Sequence, residues 1–250
     1  MSFWFWHGLK KRVHSTRYPK MLESAAGVTP GRPLWKKFPS AEEVALAAAN
    51  CPVDAILPEG DSARVDLRHC IYCERCHFGG SHLLEWRFDY EWATPPPGKS
   101  YQALPRPYGS SLHVIAVDAG DCGACLHEVK QLNNPFYNMH RLGIFFTATP
   151  RTADVLLVVG PVSENMRVPL LKTYEAMPNP KRVIAVGACA ITGGVFGSSF
   201  VSAGGAASIL PVDLEIPGDP PPPLAILHGL LVATGRKSCA SLELPAERSL

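Results

Sequence analysis

The sequence lacks any apolar run of about 18 residues, the length that a helix needs to cross a bilayer. It also lacks the pattern of a secretory signal peptide, because the basic cluster Lys10, Lys11 and Arg12 follows the first aromatic residues and no apolar segment with a cleavage site comes after it. Neither a membrane-spanning nor a secreted chain is indicated. We therefore expect a protein of the cytoplasm.

Acidic residues are nearly missing from the first 40 positions, which contain eight Lys or Arg and one acid, Glu23. The same stretch begins with the aromatic residues Phe3, Trp4, Phe5 and Trp6. Aromatic residues beside basic ones suit a membrane surface or an apolar groove on a partner, although a tail packed on its own protein would look the same. No nucleic-acid recognition motif accompanies the charge, so we expect no nucleic-acid partner. We interpret residues 1–39 as a docking arm and favour a partner protein over direct lipid contact.

The eight cysteines do not have the distribution of a disulfide framework. Cysteines separated by two residues in a cytosolic chain are usually metal ligands. Ser40 and Glu43 form a capping box that predicts a helix over Ala41–Asn50. Cys51-Pro52 follows this helix, and an extended segment then leads to a second group of cysteines, which consists of Cys70, Cys73 and Cys76.

These four cysteines form one complete ligand set for a [4Fe–4S] cluster. In two-cluster ferredoxins a C-x2-C-x2-C triplet binds one cluster together with a remote Cys-Pro, which is Cys51 here. Residues 40–80 thus resemble a bacterial ferredoxin reduced to one cluster, within a small ferredoxin-like α+β domain at 40–93. A zinc site that uses His77 or His82, and a disulfide, are the weaker alternatives.

The pattern changes after a proline-rich linker at 94–111. Short apolar runs alternate with helix-length segments, and the runs are continuous, which predicts a parallel sheet covered on both faces. The predicted strands are His113–Val117, Asp154–Val159, Arg182–Val186 and Val212–Ile216, and the predicted helices are Ala124–Asn133, Glu164–Met177 and Pro222–Thr234. We expect an α/β, flavodoxin-like domain over 112–250.

Three further cysteines follow predicted strands of this domain. Cys122 and Cys125 come after the first strand, and Cys189 ends the third. The loop after the last strand carries Asp219 where a fourth thiol would be expected. Because parallel strands bring their carboxyl ends to one edge of a sheet, these residues are predicted to surround a second iron–sulfur cluster.

Residues 113–235 resemble the small subunit of membrane-bound (group 4) [NiFe]-hydrogenases and the homologous B subunit of respiratory complex I. The matching segments are Asp121–Glu128 (DCGACLHE), Val159–Val162, Met166–Leu170, Tyr174–Lys181, Gly187–Ala190, Gly193-Gly194, Pro211–Asp213 and the Pro-Gly-Asp-Pro-Pro of 217–221. The two-residue gap between Cys122 and Cys125 follows the hydrogenase pattern, whereas complex I subunits place these cysteines side by side. The ferredoxin-like part resembles a separate subunit of formate hydrogenlyase-type complexes.

The resemblance implies an electron-transfer subunit of an oxidoreductase complex, with the catalytic metal centre on a partner chain. The cluster at Cys122, Cys125 and Cys189 would be the proximal one, beside a large [NiFe]-hydrogenase-like or complex I-like subunit. The ferredoxin-like cluster would connect it to an external electron carrier. The complex would lie peripherally on the cytoplasmic membrane, with membrane subunits contacted through the arm.

Asp219 departs from the family pattern, which has Cys at this position. Asp219 completing a [4Fe–4S] cluster is the outcome that we favour. A [3Fe–4S] cluster, or Cys239 as a remote fourth ligand, is the alternative. Glu128 matches an acidic family position, where it would tune the cluster or handle protons, although an acid in the first turn of a helix also stabilises the helix dipole.

Two other functions stay open. One is a complex I-like module that passes electrons to quinone without hydrogen chemistry. The other is a non-redox scaffold subunit, which only Asp219 favours. For an electron-transfer subunit, two [4Fe–4S] clusters are expected.

Overall fold

The computed structural model describes residues 3–11, 14–35, 40–59, 62–76 and 84–240. Within these residues no helix is both long enough and apolar enough to span a membrane.

The first hundred residues form short elements around two antiparallel strand pairs. They are helix α1 (Phe3–Lys11), strand β1 (Arg32–Trp35), helix α2 (Ala41–Ala49) and strands β2 (Ile56–Glu59), β3 (Ser62–Val65) and β4 (Leu84–Arg87). Strand β1 pairs with β4, and β2 pairs with β3. This part is therefore α+β in composition, while its ferredoxin-like character stays a prediction.

Helix α2 begins with the capping box that the sequence predicts. The amide of Glu43 donates to Ser40 Oγ (3.3 Å) and the amide of Ser40 donates to Glu43 Oε2 (2.9 Å), which confirms the capping box at the start of α2. None of the nine residues of α1 is buried, so this helix is not packed against the described part of its own chain. The pairing of β1 with β4 attaches residues 32–35 of the predicted arm to the predicted ferredoxin-like segment.

The rest of the chain builds one sheet with helices between its strands. The elements are β5 (Leu112–Asp118), α3 (Ala124–Gln131), β6 (Ile144–Phe146), β7 (Val155–Val159), α4 (Glu164–Ala176), β8 (Arg182–Val186), α5 (Ala188–Thr192), β9 (Leu214–Ile216) and α6 (Pro223–Ala233). All neighbouring strands are parallel, in the order β6-β5-β7-β8-β9. Numbered from β5, this is the 2-1-3-4-5 order of flavodoxin-like folds. The predicted α/β, flavodoxin-like sheet is confirmed.

Burial on both faces explains why the apolar runs of the strands are continuous. Val155, Leu157 and Val159 of β7 pack into the core on one face, with α6, and Leu156 and Val158 pack into a separate core on the other. Every residue of β7 is buried. The sheet is thus the rigid element that positions the loops at its carboxyl edge.

Candidate functional site

The loop after β5 is folded by two aspartates. Asp118 Oδ1 accepts hydrogen bonds from the amides of Gly120 (2.9 Å) and Asp121 (2.8 Å). Asp121 Oδ2 then accepts from the amides of Gly123 (3.0 Å) and Leu126 (3.0 Å), which otherwise lack partners at the start of α3. The carboxylates therefore fix the loop that carries the first two thiols of the sheet domain.

Cys125 reaches from this loop to the loop after β8. Its side chain is buried, whereas Cys122 is exposed. A Cβ added to Gly187, which precedes α5, would lie 2.6 Å from Cys125 Sγ. Strand β7 lies between β5 and β8 in the sheet. The loop after β7 contacts the loop after β5, because Gly160, with φ +90°, packs against the backbone of Asp121. Glycine at both positions lets the loops approach each other.

Cys189 and Asp219 are held by neighbouring loops. The amide of Ala188 donates to the carbonyl of Gly218 (2.8 Å), which ties the loop after β9 to the start of α5. A Cβ on Gly194 would lie 2.7 Å from Cys189 Sγ, so the turn after α5 closes over this thiol. The structure thereby brings three loops together at one edge of the sheet.

The pKa shifts of these side chains indicate that they lie close together. Burial raises the pKa of Cys125, and the charges of Asp121, Asp219, Cys189 and Cys122 raise it further. Burial and the charge of Asp219 raise the pKa of Cys189 to about 11. The pKa of Asp219 is itself raised, mainly by burial and then by Asp121. Several acidic groups share this space, and bound iron would favour their ionised forms. The donor set therefore fits an iron–sulfur cluster.

Glu128 and Cys239 are the two other residues to which the sequence gives a possible role at this site. Glu128 lies one turn beyond Cys125 on α3, and partial burial raises its pKa. Cys239 follows α6 and is half-buried, and the next residue is fixed by a hydrogen bond from the amide of Ala240 to the carbonyl of Ala93 (2.9 Å). Cys239 thus lies after α6, outside the loops that carry Cys122, Cys125 and Cys189.

The four N-terminal cysteines line one cavity. Its walls include Cys51, Cys70, Cys73 and Cys76 together with apolar side chains such as Val53, Ile56, Val65 and Leu84. Burial, followed by the charges of the other three thiols, raises the pKa of Cys70 to about 12. An apolar cavity lined by four thiols fits the donor set that a [4Fe–4S] cluster requires.

Backbone amides point toward two of these sulfurs. The amide of Ala55 lies 3.2 Å from Cys51 Sγ, and the amide of Tyr72 donates to Cys70. The ligand loops contain non-glycine residues with left-handed backbone, namely Asp54 (φ +50°), Tyr72 (φ +55°) and Glu74 (φ +58°). Such conformations are costly and persist where the surrounding structure demands them. Here they accompany amides directed at sulfur, which tune a cluster's potential.

No three His, Cys, Asp or Glu side chains of the described part could together hold one metal ion. Each thiolate of a cuboidal cluster binds a different iron, so cluster ligands stand further apart than those of a single ion. His77 and His82, which the zinc alternative would use, lie outside the described residues.

An ion pair connects the segment just before Cys70 to strand β9 of the sheet. Arg68, two residues before Cys70, contacts Glu215 of β9 with two bonds, Nε to Oε2 (2.6 Å) and Nη2 to Oε1 (3.0 Å). The side chain of Glu215 is only 1% exposed. The hydroxyl of Thr192, at the end of α5, donates to the carbonyl of Arg68 (3.2 Å). These links keep Cys70 and Cys189 within roughly 20 Å of each other.

Tyr72, two residues after Cys70, is affected by charges of both groups. Burial raises its pKa, followed by the charge of Cys70, and Asp219 contributes as well. Its ring is 6.1 Å from that of Trp86, and its hydroxyl is buried without a hydrogen-bond partner among the described residues. A buried orphan hydroxyl of this kind is a donor that a bound group could satisfy.

Sequence reasoning did not assign a role to several of these residues. An acid inside an otherwise apolar strand was a visible signal for Glu215, since buried charges need a partner. Gly187 and Gly194 stood inside the matching motifs, but only coordinates show which sulfur each contacts. Arg68 had no signal, because its partner is 147 positions away.

Known proteins are similar in sequence to the sheet domain of this chain. Residues 122–233 match the family described as NADH ubiquinone oxidoreductase, 20 Kd subunit. The chain is 41% identical over 125 residues to formate hydrogenlyase subunit 7 of Escherichia coli (strain K12), a match that covers 50% of this chain and 49% of that protein. The chain thus spans about half the length of that relative.

A second relative is matched over more of its length. The chain is 42% identical over 125 residues to the probable membrane-bound hydrogenase subunit mbhJ of Pyrococcus furiosus, which covers 50% of this chain and 75% of that protein. Among solved structures, a chain of the membrane-bound sulfane sulfur reductase, an archaeal respiratory membrane complex, is 29% identical with a TM-score of 0.46, and the match covers 52% of this chain and 74% of that one. By its sequence matches, the chain belongs to the NADH ubiquinone oxidoreductase 20 Kd subunit family.

Proposed function

We propose that this chain is an electron-transfer iron–sulfur subunit of a membrane-associated [NiFe]-hydrogenase-type complex. It relays electrons between a large catalytic subunit and an outer partner, and it performs no bond-making chemistry itself. The relatives named as hydrogenase and formate hydrogenlyase subunits support this assignment. So does the gap of two residues between Cys122 and Cys125.

The observation that carries the proposal is the convergence of three loops at one edge of the sheet. The charge of Asp219 raises the pKa of both Cys125 and Cys189, and a second set of four thiols is fixed to the same sheet through Arg68 and Glu215. Two donor sets held at a constant separation are what one-electron transfer between two clusters requires. A zinc scaffold would need no such spacing.

The residues of the chain have distinct roles in this scheme. Cys51, Cys70, Cys73 and Cys76 would hold one cluster, and Cys122, Cys125, Cys189 and Asp219 would hold the other. When bound, the clusters supply one-electron reduction and oxidation. Asp219 offers a harder oxygen ligand than thiolate and changes the electronics of its site. Asp121 orders the ligand loop and Gly187 lets Cys125 approach.

The surface next to the second site has the exposed apolar side chains expected of an interface with a large partner subunit. The segment after Gly194 exposes the apolar side chains of Val195, Phe196, Phe200 and Val201. Clustered exposed apolar side chains are typical of protein interfaces. We propose that the catalytic subunit covers this segment, close to Cys189, and that the external electron carrier approaches the exposed Cys73.

The proposal is tested on the complex purified anaerobically through a tag on this chain. We expect a large partner that contains nickel, and we expect hydrogen to reduce both clusters in the complex but not in the isolated chain, which dithionite still reduces. EPR spectra follow the reduction. A nickel-containing partner whose hydrogen oxidation leaves both clusters oxidised would contradict the relay.

The second candidate is a complex I-like module that passes electrons to quinone. The family to which the chain belongs takes its name from that enzyme, which favours this candidate. A large partner without nickel, together with clusters that respond to quinol rather than to hydrogen, would establish it.

A further inference from the structure

Helix α1 separates its residue types along its axis. Phe3, Trp4, Phe5 and Trp6 occupy its first turn, and Lys10 and Lys11 end it. Four consecutive aromatic residues surround a helix on all sides, since each position turns by about 100°. The helix therefore has an aromatic end and a basic end rather than an apolar stripe.

The apolar side chains of α1 are open to solvent. Phe3, Trp4, Phe5, Trp6 and Leu9 are between 51% and 78% exposed. No described residue of the chain covers them, and the helix has no buried position. An exposed aromatic cluster on a nine-residue helix is costly in water and indicates a surface that covers it.

The chain is fixed to the sheet domain shortly after α1. The amide of Thr16 donates to the carbonyl of Phe136 (2.8 Å), and Tyr18 is fully buried, with its ring against Tyr90 at 5.2 Å. Arg141 Nη2 also donates to the carbonyl of Tyr18. Lys11 is five positions before Thr16, so the carboxyl end of α1 stays within about 18 Å of this anchor.

We propose that α1 inserts into the surface of a bilayer that contains anionic lipids. An apolar groove on a protein takes a helix with a stripe at positions i, i+3, i+4 and i+7, which α1 does not have. Trp and Phe in the interface, with Lys at the level of the headgroups, match the axial order of α1. The basic end, which Arg12 continues in the sequence, complements anionic headgroups.

The proposal goes beyond the proposed function, because there the chain reaches the membrane through partner subunits. Here the chain touches lipid itself. The inference does not depend on either cluster, so a failure of the electron-transfer proposal leaves it standing, and the reverse also holds.

The test uses the full chain and vesicles of two compositions, phosphatidylcholine alone and phosphatidylcholine with about 30% phosphatidylglycerol. Co-sedimentation gives the partition constant, and tryptophan fluorescence reports insertion by a blue shift. We expect binding to the anionic vesicles that weakens as salt is raised. Replacing two lysines, as Lys10→Gln/Lys11→Gln, should lower this partition constant about thirtyfold. Replacing two tryptophans, as Trp4→Ala/Trp6→Ala, should lower it by more than about tenfold.

Two control variants each remove one exposed side chain of the same kind, basic or aromatic, elsewhere in the chain. Lys130→Gln removes an exposed lysine of α3, and Phe200→Ala removes an aromatic side chain that is 93% exposed. Both should bind as the unchanged chain does. The proposal is overturned if the chain does not bind anionic vesicles. It is equally overturned if the α1 variants bind as well as the controls, or if vesicle composition makes no difference. In the first case α1 docks on a partner protein instead.

Discussion

Cys125 and Cys189 each lie against a glycine of a neighbouring loop, and this contact gives a test at the scale of one methyl group. A Cβ on Gly187 would lie 2.6 Å from the sulfur of Cys125, and one on Gly194 would lie 2.7 Å from that of Cys189. We expect Gly187→Ala to displace Cys125 and to empty the second site. Iron would then fall from about eight to about four atoms per chain, measured on protein purified without oxygen.

Gly123→Ala is the matched control for that substitution. Gly123 also has a left-handed backbone, with φ +98°, but nothing lies within 4 Å of its added Cβ. The control has the backbone strain without the collision and should keep both clusters. Equal iron loss in both variants would mean that the backbone strain of the substitution, and not a collision with Cys125, empties the site.

Asp219 is the residue whose role is most open to measurement. We expect Asp219→Cys to alter one of two EPR signals of the reduced protein and to leave the other unchanged, because thiolate replaces oxygen at one cluster only. Cys239→Ser removes a thiol outside both predicted sets and should change neither signal. A change in both signals for Asp219→Cys, or a loss of one for Cys239→Ser, would require a different ligand set.

Strand β9 and the loop before Cys70 are joined by the pair of Arg68 and Glu215. Removing the arginine, as in Arg68→Met, leaves a carboxylate that is 1% exposed without a counter-charge. The expected loss is about 3–5 kcal/mol of unfolding free energy, measured by denaturant titration. A double variant, Arg68→Met/Glu215→Leu, should recover much of it, because no charge then remains buried.

An exposed ion pair provides the control for this element. Lys172 Nζ lies 2.7 Å from Glu175 on α4, and both side chains are more than half exposed. Lys172→Met should cost less than about 1 kcal/mol. A loss for Arg68→Met no larger than that for Lys172→Met would show that the pair does not fasten the loop to the sheet.

Helix α6 contains a buried histidine that makes stability depend on pH. His228 Nδ1 accepts from the amide of Ala93 (3.2 Å), and Nε2 lies 3.2 Å from the carbonyl of Ser238. Burial lowers its pKa, so the unfolded chain binds a proton more readily than the folded one. Stability should therefore fall as the pH drops below about 6.5, by up to about 1.4 kcal/mol per pH unit.

The measurement is the unfolding free energy between about pH 7.5 and 5.5. His228→Gln should flatten this dependence, whereas His7→Gln on the exposed α1 should keep it. An unchanged pH dependence in His228→Gln would assign the effect to other groups.

Element prediction from the sequence was accurate where burial left a pattern. The strands at 155–159 and 182–186 were visible because both faces are covered, and the helix after Ser40 because its cap is local. Strand β6 was missed, since three residues at a sheet edge show no period. Strands β1 and β4 were missed because their paired residues are 49 to 55 positions apart, from Trp35 with Leu84 to Arg32 with Arg87.

For the whole molecule, the sequence could group the cysteines but could not place one group relative to the other. That placement depends on contacts between distant positions, such as Arg68 with Glu215 and Thr94 with Glu215. The structure unites two donor sets around one sheet, with an apolar surface at one side and an exposed helix at the N-terminus. This arrangement is the basis of the electron-transfer proposal.

The most direct test of the two-cluster arrangement is elemental analysis of the full chain purified without oxygen. The account predicts about eight irons and about eight acid-labile sulfides per chain, in a brown preparation. A colourless preparation that contains zinc alone, or no metal, would contradict it.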